Sequence, residues 1–300
     1  MHKYKLYSFL LGVALVFASC IHDSNSDCPE DVRLALAFEY FADGNNNVVS
    51  NYIQSSDIFI YDAQGVLHKT VVANRLELED TKDIYLKPGA YTFVLWGNYG
   101  INLATDNTKS LDKALITTPA YLLNEMPATN DRLYFARKEI EVLPGKAPLS
   151  EWKQDGSIEF KNAHINVKVL VRGFDASEEE LLVTNLSAYN NFSATIENAK
   201  LITYQPKQTP NTIIAPLTGQ FYEFNTFRFL NDNSIAFRLI DPQTKSDLVD
   251  PILLKDILAQ QSLSVEDTQE VTLFLEITFD NSNVSISIKS WDDIETIPSN

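Results

Sequence analysis

The sequence is poor in cysteine, histidine and glycine, and each shortage argues against a class of protein. Two Cys and four His in 300 residues are too few and too scattered for a disulfide framework or a structural zinc site. Only ten residues are Gly, and no Gly-rich phosphate loop or Gly-x-Ser-x-Gly nucleophile motif occurs. Because no set of nucleophile, base and orienting group can be assembled, the sequence predicts a protein that is not an enzyme and needs no cofactor or metal.

Basic residues are also scarce. The chain has 24 Lys and Arg against 40 Asp and Glu, a net charge of −16. Binding to nucleic-acid phosphates, or by charge to an anionic lipid surface, requires clustered basic side chains. The composition therefore argues against a nucleic-acid partner and against charge-driven membrane binding. The apolar content of 45% is nevertheless sufficient for a folded core.

The first twenty residues offer another route to a membrane. Lys3 and Lys5 precede an apolar run from Leu6 to Phe17. This is the layout of an export signal, and the run is shorter than the roughly 20 residues that span a bilayer. Small residues then lead into a cysteine, Ala18-Ser19-Cys20, which resembles a bacterial lipobox. We therefore expect a lipoprotein signal peptide over residues 1–19 and a lipid on Cys20; an ordinary secretory peptide is the alternative.

Short segments with alternating apolar and polar residues dominate the rest of the chain, after a polar leader over residues 20–31. A period of two is typical of half-buried β-strands, and helical patterns are rare. The sequence therefore predicts an all-β fold, arranged as two sandwiches. The predicted strands are 32–40, 57–61, 84–86, 91–96, 165–171, 196–203, 222–230, 235–240, 271–279 and 284–288.

Breaks in this pattern predict the domain boundary, the turns and the helices. The Pro- and Gly-rich stretch 144–156 divides an N-terminal sandwich (32–156) from a C-terminal one (157–300). Pro88 followed by Gly89 predicts a type II turn joining two strands. In the second half, Asp250 and Pro251 are a cap and first residue for a helix that continues to residue 261. A shorter helix is expected around residues 111–115, within a long loop over 101–130.

Several residue groups have both a functional and a structural interpretation, and the structural one is favoured for each. Glu178 to Glu180 and Asp292-Asp293 are predicted to be solvated, His68 and His164 to be ordinary strand residues, and Asp43, Asn45 and Asn47 to be a loop with a weak resemblance to calcium sites. Exposed aromatic residues can stack on sugars, although Trp96 ends an alternating strand and is expected in the core. The aromatic candidates are Trp96, Tyr99, Trp152, Tyr189, Tyr204, Phe221 and Tyr222.

Taken in order along the chain, several stretches resemble the FimB-like fimbrial anchor lipoproteins of Bacteroidales-type fimbriae. Cys20 is followed by Cys28-Pro29 directly before the first strand. The matching stretches are the strand and turn at 58–65, the block Leu86-Lys87-Pro88-Gly89-Ala90-Tyr91-Thr92-Phe93-Val94-Leu95-Trp96-Gly97-Asn98, Asp131 to Phe135, Asn166 to Val169, the late helix 251–261 and the hairpin that ends at Trp291.

The resemblance implies two tandem transthyretin-like β-sandwich domains, with one short helix in the second. It also implies an outer-membrane lipoprotein at the base of a fimbrium, which attaches the polymer to the cell and helps to limit its length. The partner would be a fimbrial stalk subunit, bound by strand addition at the first strand (32–40) or the last (284–288). A surface glycan-binding lipoprotein is the alternative function, whereas a small-molecule ligand is not expected.

Overall fold

The computed structural model describes residues 31–145, 152–173, 179–194, 200–209, 219–280 and 283–288. Cys20, Cys28, Glu178, Trp291 and Asp292-Asp293 lie outside these residues, as does the start of the strand predicted over 196–203. Within them the regular structure is mostly β-strand with few helices, so the predicted all-β class is confirmed. No helix in the described part of the chain is long and apolar enough to cross a membrane.

The first half of the chain forms a two-sheet sandwich. Its elements are β1 (Val32–Glu39), α1 (Val49–Tyr52), β2 (Ser55–Tyr61), β3 (Leu67–Asn74), α2 (Arg75–Glu79), β4 (Lys82–Leu86), β5 (Gly89–Gly97), β6 (Ala104–Asp106), β7 (Leu115–Thr117), α3 (Pro119–Leu122), β8 (Tyr134–Val142), β9 (Lys153–Glu159) and β10 (Lys161–Asn162). One sheet has the strand order β4-β1-β9, and the other has the order β10-β8-β5-β2-β3. Alternate residues of β1, namely Leu34, Leu36 and Phe38, point into a core shared by the two sheets.

The second half forms another two-sheet sandwich. Its elements are β11 (His164–Arg172), β12 (Glu180–Ser187), β13 (Tyr189–Asn191), β14 (Leu201–Tyr204), β15 (Gln220–Phe227), β16 (Ala236–Ile240), β17 (Ile252–Leu253), α4 (Leu254–Gln261), β18 (Thr272–Asp280) and β19 (Asn283–Ile288). The two sheets have the strand orders β15-β11-β18-β19 and β14-β12-β16-β17. The alternating apolar residues of β11 pack in the core together with one face of the helix α4. The predicted terminal hairpin is confirmed, with Ile277 opposite Ile286.

The stretch read as a boundary carries a strand of the first sandwich. β9 pairs in parallel with β1 from Lys153 to Glu159, so the strand runs through position 156. Gly156 leaves room for the side chain of Leu36, because an added Cβ would lie 3.0 Å from Leu36 Cδ2. The chain leaves the first sandwich only after β10, which pairs briefly with β8.

One helix predicted from the sequence does not form, and another begins later than predicted. Residues 111–115 hold a single turn, closed by Lys113 N–H donating to Ser110 O (3.0 Å), and β7 begins at Leu115. The late helix begins at Leu254 rather than at Pro251, because Ile252 and Leu253 pair with β16 as β17. At residues 252 and 253, pairing with β16 takes the place of the first predicted helical turn.

The Pro88-Gly89 step also differs from its prediction. Gly89 has a φ of +154°, far from the value of about +80° that a type II turn requires at this position. The strands on either side belong to opposite sheets, since β4 pairs with β1 whereas β5 pairs with β2 and β8. The step therefore carries the chain across the sandwich rather than closing a hairpin.

Candidate functional site

The two sandwiches share a small sheet with the order β13-β7-β6. β13 of the second half pairs with β7 of the first, placing Asn190 opposite Ile116. A mixed apolar cluster lies around this sheet, in which Phe192 and Phe227 of the second half contact Trp96 and its neighbours. The sheet and cluster join the two sandwiches through main-chain hydrogen bonds and buried apolar area.

A polar junction lies on another side of the same interface. Tyr40 and Tyr134 of the first sandwich both donate hydroxyl hydrogen bonds to Glu270 Oε1, the second at 3.2 Å. The carboxylate of Asp43 accepts from Gln269 N–H at 2.7 Å and from Glu270 N–H at 3.1 Å. These bonds attach the first sandwich to the segment that leads into β18.

The junction also includes buried ionisable groups. Burial, followed by the hydrogen bond and the charge of Glu270, raises the pKa of Tyr40 far above its ordinary value, and burial with the same charge raises that of Tyr134. Burial lowers the pKa of His164, whose Nδ1 lies 3.0 Å from Leu133 O. Arg228 donates to the carbonyl oxygens of Gln269 (2.9 Å) and Val265 (2.6 Å). The tyrosines therefore stay neutral donors near neutral pH, and the arrangement is suited to holding the sandwiches together rather than to proton transfer.

A third set of contacts involves the loop before β8. Asn130 N–H donates to Asn225 O (2.9 Å), and Asn225 N–H donates to Thr129 Oγ1 (2.9 Å). Asp131 accepts from the N–H groups of residues 100–103 and holds that loop in place. Single polar residues in loops gave no sequence signal for these contacts, because their partners lie about 30 to 100 positions away.

The sheet edges decide which strand could accept a partner. The prediction that the first strand presents a free edge is wrong, because β1 lies between β4 and β9. The outer side of β15 is covered by residues 129–130 and by Thr209, whose N–H donates to Phe221 O (2.8 Å). β3 is a long edge strand that carries Lys69, a charge typical of protected edges. β19 is the last strand of its sheet, as expected, and no described strand pairs with its outer side.

Most of the aromatic residues considered for sugar stacking are not available. The side chains of Trp96, Tyr204, Phe221 and Tyr222 are buried. Trp152 and Tyr189 are half-buried. The half-buried Tyr99 donates its hydroxyl to Asp57 Oδ2 at 2.5 Å. The placement of Trp96 in the core confirms the expectation for that residue.

The remaining polar candidates occupy structural positions, and Glu179 is the exception because its buried carboxylate has no partner among the described residues. His68 is exposed beside the Tyr91 ring, and His164 is buried. Asn47 caps its own loop by accepting from Tyr40 N–H (3.0 Å), and no group of three or more metal-ligating side chains occurs in the described ranges. The prediction that Glu178 to Glu180 are solvated is wrong for Glu179, which is buried directly before β12.

Similar folds occur in solved structures of bacterial proteins. A candidate polysaccharide-binding protein from Bacteroides thetaiotaomicron aligns with a TM-score of 0.70 and 12% identity, over 87% of this chain and 96% of that one. A candidate adhesin from Bacteroides ovatus aligns with a TM-score of 0.66 and 15% identity, over 87% and 93%. The fimbrial anchor protein Mfa2 from Porphyromonas gingivalis aligns with a TM-score of 0.62 and 12% identity, over 86% and 95%.

The fold thus defines the class: an all-β protein with the architecture of these adhesin-type and fimbrial chains. Within that class, the profile of the Fimbrillin-A associated anchor proteins Mfa1 and Mfa2 matches residues 25–296. The chain belongs to this family, and it is a fimbrium-associated protein. A search of curated proteins finds no match.

Proposed function

We propose that this protein is an outer-membrane lipoprotein that anchors a fimbrial polymer to the cell surface and helps to limit its length. The observation that carries the proposal is the family match over residues 25–296, which begins just after the lipobox cysteine. Residues 1–19 would be removed as the signal peptide, and lipid on Cys20 would hold the body through the leader 20–31. Two or more acyl chains suffice for stable membrane attachment.

The junction between the sandwiches supports this role, because an anchor must bear load without separating. The hydrogen bonds of Asp43 and Glu270 and the shared sheet would keep the two sandwiches together when a polymer pulls on one of them. We infer that the stalk subunit binds the second sandwich at the outer side of β19. Strand addition there would supply main-chain hydrogen bonds, and alternating side chains would set the register.

The lipid assignment is tested by Cys20→Ala in the full-length chain, with Cys28→Ala as the matched control. Cys20→Ala should move the protein from the outer-membrane fraction to the soluble fraction and release fimbriae into the medium. Cys28→Ala should leave both attached, because it changes a neighbouring thiol without removing the lipid site. Membrane fractionation of Cys20→Ala equal to that of Cys28→Ala would contradict the assignment.

The binding edge is tested separately by deleting residues 284–300. The truncated chain should remain in the membrane but no longer co-purify with the stalk subunit, and fimbriae should be detached or of altered length. Cell-attached fimbriae of normal length would rule out β19. Circular dichroism of the truncated chain would check that the second sandwich still folds.

Glycan binding is the second candidate function, and the half-buried Trp152 is the residue that favours it. A pull-down with purified polysaccharide would compare the wild-type chain with Trp152→Ala. Retention of the wild type, loss of the variant and no co-purifying fimbrial subunit would favour glycan binding over the anchor role.

A further inference from the structure

A cavity of about 360 Å³ opens in the second sandwich, beside β12 of one sheet and β15 of the other. One wall is formed by the ring of Tyr222 on β15 and by Leu181 on β12. The opposite side is formed by Met126 and Pro206, whose segments are joined by Gln205 N–H donating to Pro127 O (2.9 Å). The walls therefore combine apolar and polar residues and come from both halves of the chain.

Glu179 lines this cavity and is only 6% exposed. Neither of its carboxylate oxygens has a hydrogen-bond partner among the described residues. Burial raises its pKa to about 7, so an ionised fraction persists at neutral pH. A buried carboxylate without a donor destabilises the fold, and such groups are normally paired. Glu179 is therefore a buried acceptor that the described residues leave without a donor.

The neighbouring Glu180 shows what a satisfied carboxylate looks like at this cavity. Its Oε1 accepts from Gln205 Nε2, and its Oε2 accepts from Lys245 Nζ at 2.7 Å. Its acceptors are thus already used within the chain. Of the two carboxylates at the cavity, only that of Glu179 lacks a partner among the described residues.

The surroundings of Glu179 favour an organic cation over a metal ion. Hard cations such as Ca²⁺ take six to eight oxygen ligands, and no group of three or more metal-ligating side chains occurs in the described part of the chain. An ammonium group needs only an acceptor, and it gains further from an aromatic ring such as that of Tyr222. The apolar residues of the walls suit a hydrocarbon chain attached to that ammonium.

We propose that this cavity binds a primary alkylammonium group, with the ammonium at Glu179 beside Tyr222 and the alkyl chain along Met126 and Pro206. Because the oxygens of Glu179 are covered, binding includes a rotation of its side chain toward the cavity. The net charge of −16 would attract such a cation to the protein. The group could belong to a lysine side chain of another protein or to a free amine.

The exposed Lys207 on the rim offers a competing occupant. Its ammonium has no ion pair with Glu179 in the structure, although both side chains line the same cavity. If Lys207 folded inward in solution, it would satisfy Glu179 from within the chain. The test must therefore separate an external amine from this internal one.

The probe is pentylammonium chloride, titrated calorimetrically into the purified full-length chain, with pentan-1-ol as its uncharged counterpart. Binding of pentylammonium but not pentanol is expected for the wild type and for Glu159→Gln, which removes an exposed carboxylate on β9. Glu179→Gln should weaken binding about tenfold or more, since it removes a charged hydrogen-bond acceptor. Equal binding by Glu179→Gln and Glu159→Gln, or no binding by the wild type, would overturn the proposal.

Two further arms identify the occupant. The first arm compares an acetylated pentapeptide that has one central lysine with the same peptide carrying norleucine instead. Binding of the lysine peptide would identify a lysine side chain of another protein as the occupant. Binding of pentylammonium but of neither peptide would identify a free amine. Lys207→Met should bind the probe as tightly as the wild type does. Binding by Lys207→Met alone would show that Lys207 fills the cavity and would overturn the proposal. Circular dichroism confirms that each variant is folded.

Discussion

Glu179 should make the stability of the protein fall as the pH rises from mildly acidic to neutral values. Its pKa is about 7 in the folded chain against an ordinary value of 4.5. Between these values the unfolded chain releases a proton that the folded chain retains, so the free energy of unfolding decreases with rising pH. A shift of this size corresponds to about 3 kcal/mol, reached in full above about pH 7.

Glu179→Gln removes this contribution, because an amide does not titrate. The assay is urea denaturation followed by circular dichroism, for wild type and variant at about pH 4.5 and about pH 8. Relative to the wild type, the variant should gain about 3 kcal/mol of stability between the lower and the higher pH. The buried His164 acts in the opposite direction, losing stability as the pH falls below about 6.5, but it is common to both proteins.

Glu159→Gln is the matched control, because it removes one exposed carboxylate and leaves Glu179 in place. It should therefore retain the wild-type dependence on pH. The reasoning is refuted if Glu179→Gln and the wild type differ by the same free energy at both pH values. That result would mean that Glu179 is as easily ionised in the folded chain as in the unfolded one.

Three further substitutions test the fold and the junction. Asp43→Ala should lower the free energy of unfolding by about 1–3 kcal/mol, because the N–H groups of Gln269 and Glu270 lose their acceptor. Proteolysis between the sandwiches should become faster, and unchanged cleavage would contradict this prediction. Asp131→Ala should lower the melting temperature, with increased hydrogen exchange at residues 100–103 as the specific sign. Trp96→Ala should lower the free energy of unfolding, measured by chemical denaturation, by about 3–5 kcal/mol, because Trp96 is fully buried. Trp152→Ala should lower it clearly less, and equal losses would place Trp96 outside the core.

The sequence predicts best those elements whose partners are close along the chain. The terminal hairpin is one, because β18 and β19 alternate with a period of two and are joined by a short turn. The parallel pairing of β1 with β9 spans about 120 residues, and nothing in either strand indicates the other. The pairing of β7 with β13 is not predictable for the same reason. The local pattern instead indicates a short helix at residues 111–115, next to the start of β7.

The candidate site was harder to predict because it depends on burial that charge alone does not reveal. A run of three glutamates indicates a solvated segment, yet the second of them, directly before β12, is buried. Tyr40 and Glu270 are separated by 230 positions and meet only when both sandwiches have folded. The resemblance of residues 18–20 to a lipobox, in contrast, rests on contiguous residues and requires no tertiary structure.

Intact-protein mass spectrometry of the chain extracted from outer membranes tests the anchor proposal most directly. The account predicts a polypeptide that begins at Cys20, carries added acyl mass at that residue and co-purifies with a fimbrial subunit. A chain that retains residues 1–19, or one that begins at Cys20 without acyl mass, would contradict it.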